Sequence, residues 1–130
     1  MLEEVAAVLR ADERIAYALV FGSAARRTLH AHSDVDVAIG VRGATRFGLT
    51  DLGGLASRLE EAAGRSIHLV LLDEAAPGLA YRVFRDGLVV AARDEAALKA
   101  RRTRAILEYL DFAPIEEMCA KGVLDTSHGR

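Results

Sequence analysis

Three short apolar runs and one segment of alternating apolar and polar residues are separated along this chain by stretches of helical periodicity, and this order constrains the fold more than any other feature. The runs are five to seven residues long, which suits strands and is too short for free-standing helices. Strands that alternate with helices predict an α/β fold, in which a small sheet of about four strands is flanked by helices. The predicted strands are 15–21, 34–39, 67–72 and 88–92.

The helical stretches begin and end at residues with known capping preferences. Thr50 is the expected N-cap of a helix that stops at Gly64, and Asp94 is the expected N-cap of a last helix that runs to about Tyr109. Further helices are predicted over 2–9, 24–27 and 79–85, whereas the glycine-rich residues 40–48 predict a loop.

Composition limits the function classes. The chain has 130 residues, of which 52% are hydrophobic and 28% charged, which is typical of one packed domain over residues 1–130, with 94–130 as a C-terminal helical region and tail. A formal net charge of -2 excludes a global basic field for nonspecific nucleic-acid binding. A single cysteine, an acidic start and the lack of an apolar run of about 18 residues favour a cytoplasmic protein.

Two sequence elements around the first two strands carry the candidate chemistry. Asp34 and Asp36 are two residues apart on a strand, so their side chains leave the same face with α-carbons about 6.6–7 Å apart. Such a pair needs a cationic partner, and Mg²⁺ prefers oxygen ligands. Gly22 and Ser23 close one strand and open a helix, which offers N–H groups and close backbone approach to a phosphate. Together these elements predict phosphoryl or nucleotidyl transfer.

The spacing of these residues resembles the signature of the DNA polymerase β nucleotidyltransferase superfamily, and more closely that of the stand-alone minimal nucleotidyltransferases. Gly22-Ser23 is followed after ten residues by Asp34-Val35-Asp36, with Arg26 three places after the serine and Ser33 directly before the first acid. Later segments that resemble this group include 69–72, 80–82, 85–90 and 109–112.

This resemblance implies a mixed sheet and a specific partner. Two Mg²⁺ ions would be held by Asp34 and Asp36, and an NTP would rest its phosphates on Gly22 and Ser23, with Arg26 and Ser33 also in the nucleotide site. Minimal nucleotidyltransferases commonly act as antitoxins of HEPN-domain ribonucleases, by transferring AMP from ATP to a tyrosine of that partner. The implied activity is therefore an Mg²⁺-dependent protein adenylyltransferase.

His68 stands where similar proteins usually carry a third acid. One interpretation makes it a catalytic residue, a general base that orients or deprotonates the attacking hydroxyl, since the pKa of a histidine lies near neutrality. The other interpretation is a hydrogen-bonded core histidine within the apolar run 67–72. The Asp34 and Asp36 pair has a similar alternative, as solvated acids on an edge strand.

The sequence is also consistent with two alternative functions, and it allows two interpretations for each of two surfaces. The chain could be a catalytically weak antitoxin that neutralises its partner by contact, or a transferase that modifies a small hydroxyl compound such as an antibiotic. A basic cluster is either a solvated helix face or a docking surface for an acidic partner. An apolar tail packs on the core or binds another chain. The cluster is Lys99, Arg101, Arg102 and Arg104, and the tail is Tyr109, Leu110, Phe112, Ile115 and Met118.

Overall fold

The computed structural model describes residues 1–26, 34–43 and 45–120, with Arg26 and residues 112–120 described by their backbone only. Within these ranges, helices and strands alternate as predicted. The helices are α1 (Leu2–Ala11), α2 (Ser23–Arg26), α3 (Leu49–Ala63), α4 (Pro77–Asp86) and α5 (Glu95–Ala120). The strands are β1 (Ile15–Phe21), β2 (Val35–Val41), β3 (Ile67–Leu71) and β4 (Leu88–Ala92).

The four strands form one mixed sheet in the order β3-β2-β1-β4. Strand β1 runs antiparallel to both β2 and β4, whereas β2 and β3 are parallel. The predicted fold class, a small mixed sheet flanked by helices, is thereby confirmed. Because β1 and β2 are the inner strands, they carry almost continuous burial along their length.

Helices cover both faces of the sheet, and strand alternation assigns each side chain to one of two cores. On one face, odd-numbered residues of β2 and β3 pack against α1 and α3. On the other face, Tyr17 and Leu19 of β1 and Ala38 of β2 pack against α4 and α5. The largest fully buried side chains include Leu9, Ile15, Leu19, Ile39, Leu55, Leu59 and Leu72.

Two helix boundaries follow the predicted capping residues. Gly64 ends α3 in a left-handed conformation with φ of 68°, and its N–H donates to the Glu60 carbonyl over 2.8 Å. Before α5, the Asp94 carboxylate accepts a hydrogen bond of 3.0 Å from the N–H of Ala97.

Three boundary predictions were wrong. Thr50 is not an N-cap, because α3 begins at Leu49 and the Asp51 carboxylate instead accepts the Gly48 N–H over 2.9 Å. The loop predicted from Gly40 begins two residues later, since sheet pairing extends β2 to Val41. Helix α5 does not stop near Tyr109 but continues to Ala120.

The topology brings one end of every strand to the same edge of the molecule. The carboxyl end of β1 lies beside the amino ends of its two antiparallel neighbours, and β3 begins beside β2 because these strands are parallel. Helix α4 returns the chain to this edge before β4. No helix among the described residues has the length and apolarity needed to cross a membrane.

Candidate active site

The turn after β1 is built around a glycine in a left-handed conformation. Gly22 has φ of 68°, a region that costs an L-residue with a side chain about 1–2 kcal/mol. The strand ends at Phe21, and α2 begins at Ser23. The turn therefore presents backbone, and no side chain, at the edge where the strand ends meet.

Asp36 lies across the sheet from this turn. The antiparallel register pairs Phe21 with Asp36, which places the carboxylate next to the following residue, Gly22. A Cβ added to Gly22 would collide with Oδ2 of Asp36. Glycine is thus required here twice, for its backbone conformation and for the space that the carboxylate occupies.

His68 completes this group from the other side of Asp36. The parallel register pairs Asp36 with His68, and Nδ1 of the imidazole lies 3.2 Å from Oδ1 of the carboxylate. The His68 side chain is 63% exposed and that of Asp36 is 27% exposed. The interpretation of His68 as a core histidine is therefore wrong. The edge-strand interpretation is also wrong for Asp36, since β2 is an inner strand.

The structure describes the remaining predicted site residues only in part. Asp34 is exposed and directly precedes β2, and strand alternation puts it on the same side of the chain as Asp36. Ser23 is the first residue of α2. The backbone of Arg26 ends α2, but its side chain and the whole of Ser33 lie outside the described residues.

The donor set at this edge suits magnesium shared with a substrate. No group of three His, Cys, Asp or Glu side chains that could hold a metal ion occurs within the described part of the chain. Magnesium, however, is commonly bound by one or two carboxylates together with substrate phosphates. Asp36 supplies oxygen donors next to the side-chain-free turn at Gly22, where a phosphate can approach the backbone. These residues fit a metal that the nucleotide helps to bind.

The resemblance placed Asp36 and His68 in one site, but their direct contact was not predicted from the sequence, although a signal for it exists. Each is the second residue of its strand. Two parallel strands that start at the same sheet edge bring such positions side by side, and the register confirms this arrangement. Without the resemblance, the two residues could be paired in advance only by assuming that β2 and β3 are parallel neighbours.

Comparisons with known proteins identify the family and the fold. The family model described as Polymerase beta, Nucleotidyltransferase matches residues 3–96. No curated protein matches the chain. A crystal structure of a toxin-antitoxin with AMP-PNP contains a chain that superposes with a TM-score of 0.78 at 21% identity, over 95% of this chain and 98% of that one.

Two further solved structures show the same fold. A chain in the MntA-HepT toxin-antitoxin crystal structure gives a TM-score of 0.71 at 20% identity, covering 95% of this chain and 97% of that one. A chain in the complex of tri-AMPylated Shewanella oneidensis HEPN toxin with MNT antitoxin gives 0.72 at 20% identity, with the same coverage. Since the family match extends from α1 into α5, the chain belongs to the Polymerase beta nucleotidyltransferase family.

Proposed function

We propose that this chain is an Mg²⁺-dependent adenylyltransferase that moves AMP from ATP to a tyrosine hydroxyl of a HEPN-type ribonuclease and thereby acts as its antitoxin. The observation that carries the proposal is the convergence of the Gly22 backbone, the Asp36 carboxylate and the His68 imidazole at one sheet edge. Family membership and the toxin-antitoxin structures that share the fold support it.

The turn after β1 would bind the triphosphate. Gly22 lets phosphate oxygens approach the backbone closely, and the N–H groups of the turn and the Ser23 hydroxyl are the donors that such oxygens need. Arg26 and Ser33 would add further contacts to the nucleotide. This arrangement holds the α-phosphorus still while the acceptor approaches.

Asp34 and Asp36 would hold two Mg²⁺ ions. Metal ions held there would supply positive charge to neutralise the triphosphate and the pyrophosphate leaving group. Bound cations would also offset the mutual repulsion of the two carboxylates at the start of β2.

His68 would act on the acceptor. Its Nδ1 faces Asp36, which orients the ring and leaves Nε2 for the tyrosine hydroxyl. As the hydroxyl oxygen bonds to the α-phosphorus, its proton passes to Nε2, and the bond between the α-phosphorus and pyrophosphate breaks. The exposure of the imidazole gives an external acceptor access to it.

The test incubates the purified chain with the HEPN protein, α-labelled ATP and Mg²⁺. We expect transfer of label to the HEPN protein, its loss in Asp36→Ala, and a reduction of about 100-fold or more in His68→Ala, in line with the usual contribution of a general base. Glu13→Ala is the matched control, because Glu13 is an exposed acid in the loop before β1, at the opposite end of the sheet. An unchanged rate in His68→Ala would refute the role of the imidazole as base.

A second candidate function is a binding antitoxin with little catalysis. His68 favours it, because a neutral imidazole brings no negative charge to a site whose metals need oxygen ligands. Tight binding of the HEPN protein without transfer of label would support this alternative over the enzyme.

A further inference from the structure

Helices α4 and α5 form a surface on which aromatic, aliphatic and arginine side chains lie together. Five side chains line a cavity of about 160 Å³ between the two helices, namely Tyr81, Phe84, Arg85, Arg102 and Ile106. One turn beyond Ile106, the side chain of Leu110 is 60% exposed. These six residues are called the α4/α5 patch.

The α4/α5 patch lies on the same face of the sheet as the candidate active site, and the carboxyl end of α4 lies at the site edge. Asp36 and His68 alternate with residues that pack on α1 and α3, so they belong to the face covered by α4 and α5. Helix α4 ends at the site edge, where a Cβ on Gly87 would lie 3.2 Å from the Val20 carbonyl oxygen, two residues before Gly22.

Aromatic rings and guanidinium groups are layered in the α4/α5 patch. The guanidinium of Arg102 lies 5.8 Å from the Phe84 ring centre, and that of Arg85 lies 5.7 Å from the centre of Tyr81. Tyr81 in turn stacks on Tyr109, with ring centres 4.1 Å apart. A guanidinium placed over a ring can still pair with a carboxylate through its N–H groups, as Arg85 does with Asp86 over 3.0 and 2.8 Å.

Some side chains of the basic cluster bind to other parts of this chain, and others do not. Arg101 is buried and donates to the Leu72 carbonyl over 2.8 Å, and Arg104 contacts Asp73 over 3.3 Å. The solvated-face interpretation is therefore wrong for Arg101. Arg102 forms no ion pair with a described residue. This arginine is therefore placed to pair with a carboxylate from another molecule.

We propose that the α4/α5 patch docks an acidic segment of the acceptor protein, so that a tyrosine on that segment reaches the site beside Asp36 and His68. This inference rests on the proposed function and adds the surface and the chemistry of partner recognition. Aromatic residues and arginine next to exposed aliphatic side chains are the composition of interface centres. The positive charge of Arg102 selects an acidic segment over a basic one.

The test measures binding to the full chain, without ATP or metal, of a labelled random copolymer of glutamate and tyrosine. A copolymer of lysine and tyrosine serves as the probe of opposite charge. We expect the acidic copolymer alone to bind, and both Arg102→Glu and Leu110→Asp to weaken it by at least about tenfold. Arg46→Glu and Leu49→Asp are matched controls, because both residues are exposed near the start of α3, away from the patch, and should change binding less than about twofold.

Each other outcome overturns the proposal. The proposal is wrong if the patch and control variants weaken binding equally. It is also wrong if the acidic copolymer does not bind, or if the basic copolymer binds equally well. A dimer of the wild-type chain that Leu110→Asp dissociates would assign the patch to a second copy. The two proposals can fail separately. If only the proposed function is wrong, no label is transferred from ATP, but the expected pattern of copolymer binding is still observed.

Discussion

Two glycines with the same backbone conformation have different roles in this protein. Gly22 and Gly64 both have φ of 68°, so a side chain at either position is strained. An added Cβ at Gly64 meets open space, whereas one at Gly22 collides with the Asp36 carboxylate. Of these two glycines, only Gly22 is therefore needed both for its backbone conformation and for the space beside the candidate site.

This difference predicts a matched pair of outcomes. Gly64→Ala should lower the free energy of unfolding by about 1–2 kcal/mol, the cost of a left-handed alanine, and leave nucleotide transfer intact. Gly22→Ala should destabilise more and also abolish transfer, because Asp36 must move. Urea unfolding and the labelled-ATP assay measure the two effects, and normal transfer by Gly22→Ala would contradict the proposed phosphate site.

At the scale of elements, β2 shows why the glycine-rich stretch was assigned wrongly. Gly40 lies under the ring of Tyr17 on the neighbouring strand, and a Cβ there would collide with that ring. Tyr17 is 4% exposed, and burial together with the nearby Asp73 carboxylate raises the pKa of Tyr17 to about 12. A glycine that suggested a loop is in fact a strand residue that makes room for an aromatic ring.

We expect this packing to appear as a non-additive mutant cycle. Gly40→Ala should destabilise the protein by about 1–3 kcal/mol, because the added methyl group overpacks the core. Tyr17→Leu removes the ring, so Gly40→Ala should cost about 0.5–3 kcal/mol less in that background. Free energies of unfolding for the two single variants and the double variant test this, and strict additivity would refute it.

At the scale of the whole molecule, a charged network ties the loop before β1 to α3. The Asp12 side chain, 8% exposed, accepts hydrogen bonds from Arg14 over 2.9 Å and from Arg58 over 3.0 Å. Arg14 also donates to Asp51 over 2.9 Å. The hydrogen bond from Arg14 lowers the pKa of Asp12 below its usual 3.8.

The lowered pKa of Asp12 predicts a pH-dependent contribution to stability. A carboxyl whose folded pKa lies below its unfolded pKa stabilises the fold above the unfolded value and loses this contribution as the pH falls through the folded value. Asp12→Asn should therefore lower the free energy of unfolding by about 1–3 kcal/mol at neutral pH. The difference in free energy of unfolding between Asp12→Asn and the wild type should become smaller below about pH 4.

Urea unfolding of the wild type and of Asp12→Asn, at several pH values between neutral and acidic, measures this difference in free energy. Glu13→Gln is the control, because its exposed carboxylate makes no hydrogen bond within the described residues. A constant difference across the whole pH range would show that Asp12 acts through packing and not through its charge.

The sequence by itself determined the local order of helices and strands and the family to which the chain belongs. Apolar runs of strand length and capping residues such as Gly64 and Asp94 act over a few neighbouring residues, and the spacing of Gly22, Ser23, Asp34 and Asp36 is a local motif. For this reason the elements and the nucleotidyltransferase family could both be inferred before any coordinates.

Only the tertiary structure decided which distant residues meet. The pairing of β2 with β3 brings His68 to Asp36, the pairing of β1 with β2 puts Tyr17 over Gly40, and the packing of α4 on α5 separates buried Arg101 from exposed Arg102. Strand register and helix packing depend on contacts between residues far apart in the chain. Local periodicity carries no information about those contacts, because many registers satisfy the same alternation.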